Sequence, residues 1–104
     1  MTSPAVLDAL IDEITVDAYN DAEQEAGFLI AATEALARGE AARLAGREVE
    51  LLAVDHGPDV RAGLRAIVRV DGDQHEVALA DLVLAGGSEL ALVVSAYRRW
   101  LGWR

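Results

Sequence analysis

The sequence predicts an α+β domain, and three observations predict it. Apolar residues recur at intervals of three and four through the first 38 positions, alternate with polar ones from Glu48 to Leu79, and return to helical spacing from Leu90 to Leu101. Turn signals punctuate the middle part roughly every ten residues, which suits antiparallel hairpins rather than strands alternating with helices. At 104 residues the chain suits one domain that buries a core unaided, and it has no cysteine for a disulfide or a thiolate metal site. Three parts are expected within that domain: acidic helices over 1–38, a small β-barrel over 39–86 and a C-terminal helix over 87–104.

Each element has a local reason. Ser3-Pro4 has the composition of an N-cap followed by proline at the first helical position. Val6, Leu7, Leu10, Ile11 and Ile14 then form one apolar stripe. A second set, Tyr19, Ala22, Ala26, Leu29, Ile30, Thr33, Leu36 and Ala37, would lie roughly 110° from the first on one continuous helix. Two helices are therefore expected, broken between Thr15 and Asn20, with Asn20 and Glu23 at capping-box spacing. Phe28 falls off the second stripe, which leaves it to a separate contact or to solvent.

Gly39 ends the helical region. Ala41 to Leu44 reads as a short strand before Gly46, and Glu48 to Val54 alternates up to the turn at Asp55 to Asp59. Leu64, Ala66, Val68 and Val70 share one face, with Arg65 and Arg69 on the other. Asp71-Gly72 is a hairpin signal. Val77 and Leu79 bring the chain back, and Leu82 to Leu84 adds a last strand. After Gly86-Gly87, Ser88 is placed to cap a helix that buries Leu90, Val93, Val94, Tyr97, Trp100 and Leu101. A small SH3-like barrel is the most economical arrangement of such strands.

Charge narrows the function. The chain has 18 acids against 9 basic residues, all arginine, for a net charge of −9. Its first 38 residues hold eight of the acids and only Arg38. That field repels phosphate backbones, so nucleic acid is not an expected partner. No segment approaches the ~20 apolar residues that span a bilayer. The first fourteen residues lack the basic and apolar runs of a signal peptide, so a cytoplasmic protein without a membrane partner is expected. No P-loop, dinucleotide glycine motif, G-x-S-x-G or metal-binding histidine spacing occurs, and catalysis is not expected.

Asp17, Asp21, Glu23 and Glu25 fall within nine residues that contain no cation. On a regular helix Glu13, Asp17, Asp21 and Glu25 would succeed one another at i, i+4, where like charges repel by about 0.2–0.5 kcal/mol per pair. Water over a solvated face, a hard cation or a basic surface would each offset that repulsion. Calcium, with about six to eight oxygen ligands, is the cation such a cluster suits. The loops Asp55-His56-Gly57-Pro58-Asp59 and Asp71-Gly72-Asp73 each set two carboxylates beside a glycine, a composition that serves turns and calcium alike. Their four carboxylates would converge only if both loops lay at one end of the barrel. At the C-terminus, Tyr97-Arg98-Arg99-Trp100-Leu101-Gly102-Trp103-Arg104 offers arginines to the acidic helices, within one molecule or across a homodimer.

The run from Asp12 to Phe28 resembles the N-terminal signature of the small acidic calcium-binding proteins first known from cyanobacteria. Asp12-Glu13-Ile14 matches its acid-isoleucine stretch, and Asp17-Ala18-Tyr19, Glu23-Gln24 and Gly27-Phe28 come after it in order and spacing. Val49-Glu50-Leu51-Leu52 is similar to that family's first long strand, Leu79-Ala80-Asp81-Leu82 to its P-L-x-x-L stretch, and Tyr97 to Trp100 to its aromatic C-terminal helix. The chain departs from the pattern at Leu29-Ile30-Ala31-Ala32 and at Arg38-Gly39-Glu40-Ala41. The resemblance implies helices packed on an SH3-like barrel, and a calcium buffer or sensor without catalysis in which Asp17, Asp21 and Glu23 are matched ligand candidates. Together with the acids read from the pattern, the candidates are Asp17, Asp21, Glu23, Glu25, Asp55, Asp59, Asp71 and Asp73. The alternative is an interaction module or homo-oligomer that presents its acidic helices to a basic protein partner and holds no metal.

Overall fold

The computed structural model describes residues 3–36, 40–85 and 87–103. The expected boundary at Gly39, the Gly86 punctuation, Ala37 and Arg104 lie outside the described residues. Helix α1 spans Pro4–Ile14 and α2 spans Asp21–Ala35. Strands β1 to β5 come next at Glu40–Leu44, Arg47–Asp55, Arg65–Val70, Asp73–Ala78 and Leu82–Leu84, and α3 closes the chain at Glu89–Trp103. A 3-10 turn, Leu79–Asp81, joins β4 to β5.

The caps are the expected ones. Ser3 accepts from the Val6 N–H, Asn20 from Glu23 at 2.8 Å and Ser88 from Ala91 at 3.0 Å, each satisfying a donor that a helix start leaves over. The capping box is modified, because Glu23 Oε2 accepts the N–H of Tyr19, one residue before the cap. Between β3 and β4, Asp71 (φ 52°) and Gly72 (φ 85°) form a two-residue turn with both φ positive, the geometry that matches strand twist.

All five strands pair antiparallel, in the order β4-β3-β2-β1-β5. The sheet is not closed into a barrel: β4 and β5 are its outer strands. Strict alternation along β2 also fails. The register shifts between Leu51 and Ala53, which sets Val54 opposite Ala66 and so on the core face. A bulge of this kind bends its strand. The helices cover the face bearing Ala42, Val49, Leu51, Ala66 and Val68, and these side chains share one core with Ile11, Phe28, Leu90, Val94, Tyr97 and Trp100.

The buried face of α2 differs from the expected stripe. Phe28 is 0% exposed and lies beside Ala32, whereas Ile30 is 60% exposed. The face is rotated by roughly 100°, one residue's worth of helix. Alanines on several sides give α2 little apolar contrast, so its orientation is decided by what it meets. What it meets is α3. Phe28 lies 5.6 Å from Tyr97 and 5.3 Å from Trp100 between ring centroids, and those two stack at 6.0 Å. Such aromatic pairs stabilise by about 0.5–1.5 kcal/mol beyond their buried area. Gly27 admits the end of α1, since a Cβ there would stand 2.8 Å from the carbonyl oxygen of Ile14.

Four consecutive residues of α3 tie it to separate parts of the chain. The Tyr97 hydroxyl accepts from the Leu64 N–H at 2.8 Å in the buried loop end before β3. Arg98 donates to the carbonyls of Ala80, at 2.7 Å, and Leu82. Arg99 donates to Asp8 Oδ1 of α1 at 2.5 Å, and Trp100 Nε1 to Gln24 Oε1 of α2 at 2.7 Å. Trp100 lies in the core as expected; Arg99 reaches the acidic α1 within one molecule, the intramolecular pairing expected of these arginines, and Arg98 braces main-chain carbonyls instead.

Candidate functional site

The acids of the expected calcium set divide into four places. Asp17 sits in the turn after α1 and Asp21 is the first residue of α2; both are exposed. Because Asp17 is off the helix, the i, i+4 stripe of carboxylates does not form. Glu23 spends one oxygen on the Tyr19 N–H. Glu25 lies away from any solvated stripe: it is 4% exposed, on the face that buries Phe28 and Ala32.

The two acidic loops lie at opposite ends of β3. Asp55 and Asp59 precede it and Asp71 and Asp73 come after it, so six residues of extended strand, roughly 20 Å, separate the pairs. Their four carboxylates do not converge. Asp55 Oδ1 accepts the His56 N–H and Asp59 Oδ1 the Ala62 N–H, both at 2.8 Å, which is the turn chemistry of aspartate. Asp71 is paired with Arg47 across the β1–β2 and β3–β4 turns. Among the described residues no group of three or more His, Cys, Asp or Glu is placed to hold a metal ion. A prebuilt carboxylate cage for calcium is therefore not what these side chains make.

The sequence reading missed a different juxtaposition. A cleft of about 290 Å³ opens among α1, α2 and α3, lined by Ile11, Asp12, Thr15, Asp21, Gln24, Trp100 and Trp103. Only Asp21 of these was a candidate. A signal was present: Asp8, Asp12 and Thr15 repeat at helical spacing beside the apolar stripe of α1, so they border whatever that stripe packs on. That neighbour is α3, one turn of which matches one turn of α1. Asp8 holds Arg99, and a turn further on Asp12 and Trp103 line the cleft together. The Arg99 guanidinium also lies 5.6 Å from the Trp103 ring centroid. Its hydrogen bond to Asp8 raises the Arg99 pKa above its ordinary value.

These elements define an α+β fold of three helices on one face of a five-stranded antiparallel sheet. Two solved structures share it over almost their whole length. A structure described as a calcium-binding protein in the calcium-binding form is 17% identical, with a TM-score of 0.76 over 99% of this chain and 97% of the other. The crystal structure of Anabaena CcbP is also 17% identical, with a TM-score of 0.75 over 97% of this chain and 93% of its own. The resemblance seen in the sequence thus extends to the fold. No protein-family model matches the chain, and no curated protein matches it in sequence. Among the described residues no helix is long and apolar enough to cross a membrane.

Proposed function

We propose that this protein binds calcium, as a buffer or sensor without catalytic chemistry, at open sites in which two carboxylates at a time are completed by main-chain carbonyls and water. The observation that carries this reading is the whole-length likeness to two structures, one described as calcium-binding and in its calcium-binding form, in a chain of net charge −9. Dispersed acids favour the weak end of calcium affinities, since ligand count and rigidity set the dissociation constant. Asp55 and Asp59 are the first candidates, because each carboxylate is oriented by a main-chain N–H of its own loop. Asp17 and Asp21 come second, flanking the α1–α2 turn. Asp71 comes last, its charge already met by Arg47.

The test is isothermal titration of calcium into chelator-treated protein at physiological salt, with magnesium as control. Saturable binding with a dissociation constant of about 10⁻⁵ to 10⁻³ M, and weaker magnesium binding, is expected. Asp55→Asn should remove or weaken a site, and Asp17→Asn a second one. A flat calcium titration overturns the reading.

A further inference from the structure

We propose that the face of the sheet opposite the helices binds a second copy of this chain, in a dimer whose two-fold axis runs along the strands between β2 and β3. Strand alternation places on this face the residues that lie between the buried ones, and Arg43, Glu48, Arg69, Glu76 and Val83 are exposed there. Its charges are sorted by strand. β1 carries Arg43, β2 carries Glu48, Glu50 and Asp55, β3 carries Arg65 and Arg69, and β4 carries Glu76, so the sign alternates from one strand to the next. Between β2 and β3 the sorting holds rung by rung: Glu50 faces Arg69, Ala53 faces Ile67 and Asp55 faces Arg65. Glu50 and Arg69 are already joined at 2.8 Å.

A two-fold interface sets one patch against itself, so the patch must complement its own image. Rotation about an axis parallel to the strands lays the second copy's β3 over β2, and its β2 over β3, without shifting the register along them. Each acid of β2 then meets the arginine of the same rung in the second copy: Glu50 meets Arg69 twice, Asp55 meets Arg65 twice, and Ile67 lies over Ala53 between them. The outer strands obey the same rule, since β1 comes to lie over the second copy's β4, a cationic strand over an anionic one. The second copy's Gln74 falls over Ala41, where a hollow of about 540 Å³ opens on this face. Sheets packed face to face run aligned about 10 Å apart, which this arrangement satisfies.

Charge also selects this face over the rest of the surface. The chain has 18 acids against 9 basic residues, so most approaches of two copies are repelled. The first 37 residues contain no Lys or Arg, which makes α1 and α2 a poor side for two copies to share. On the open face of the sheet four acids stand with three arginines, in an order that complements itself.

Sedimentation equilibrium with chelator present tests this over about 5 to 500 µM protein, a range that brackets the weak affinity of a small, polar interface. The mass should rise from that of one chain toward that of two. Glu50→Arg and Arg69→Glu each occur twice across the axis, and each should weaken the dimer about tenfold or more, because like charges then face one another. Glu50→Arg discriminates sharply: it lowers the net negative charge, and would strengthen any association limited by general repulsion. The exchanged variant, Glu50→Arg with Arg69→Glu, restores opposite signs within and between copies and should dimerise within about threefold of the unaltered chain. Glu34→Arg, an equal change of charge on the exposed side of α2, should not weaken the dimer. Thermal melts establish that each variant is folded at the temperature of the run. A single-chain mass at every concentration overturns the proposal and leaves the face to another protein. So does a dimer that survives Glu50→Arg or Arg69→Glu, or one that Glu34→Arg weakens as much, which would put the contact on the helices. A folded exchanged variant that stays monomeric overturns the pairing across the axis.

Discussion

The sheet and the helical layer handle their carboxylates in different ways. Across the strands, acids meet arginines of a neighbouring strand or turn: Glu50 with Arg69 at 2.8 Å, Glu48 with Arg43 at 3.8 Å, and Asp71 with Arg47. The first two are cross-strand partners in register, and the third joins the start of β2 to the β3–β4 turn. The segment that forms α1 and α2 has no basic residue before Arg38, so compensation must arrive from far along the chain, as Arg99 does for Asp8. Local pairing offsets part of the sheet's charge without help from the helices. Distant pairing makes the helical layer's charge depend on tertiary docking.

The difference can be broken most severely by taking away the side chain that binds the helices together. Phe28→Ala should cost about 3–5 kcal/mol, the range for truncating a buried aromatic, read as a lower urea midpoint. A loss below about 1 kcal/mol would mean that α2 is not seated on α3 as described. Gly27→Ala is a narrower probe. Its new Cβ would meet the Ile14 carbonyl, so α1 and α2 must separate, at about 1–3 kcal/mol of overpacking. Thermal denaturation of that variant should show the loss; stabilisation, as expected for alanine in an unobstructed helix, would refute the close approach. The smallest effect sharpens the comparison rather than breaking it. Asp8→Asn should lower the melting temperature at low salt and much less at 1 M NaCl, where screening falls to about 3 Å. Glu50→Gln, in a cross-strand pair held by a single contact where Asp8 and Arg99 have two, should change it less at either salt concentration.

Much of this fold was legible because local chemistry enforces it. Asp71-Gly72 needs positive φ at two successive positions and so sets the β3–β4 hairpin, and Asn20 and Ser88 cap α2 and α3. The illegible part depends on partners remote in sequence. The face of α2 is not fixed by its own residues, because Ala22, Ala26 and Ala32 differ little in apolarity, and only the rings of α3 select Phe28 over Ile30. The bulge after Leu51 had no sequence mark, and neither did the open sheet. The candidate site was the least legible. Carboxylates can be counted in a sequence, and the expected strand from Leu64 to Val70 already separates the two acidic loops, one before β3 and one after it; where Glu25 and Asp12 come to lie depends on how the helices pack. The cleft beside Asp12 required knowing that α1 runs against α3.

The four anchoring residues of α3 are also made after everything they hold. Tyr97, Arg98, Arg99 and Trp100 reach the loop before β3, the strand-entry carbonyls, α1 and α2. A ribosome delivers the chain N-terminus first. The first two helices and the strands therefore leave the ribosome before the residues that anchor them, and their assembly waits for α3 to emerge.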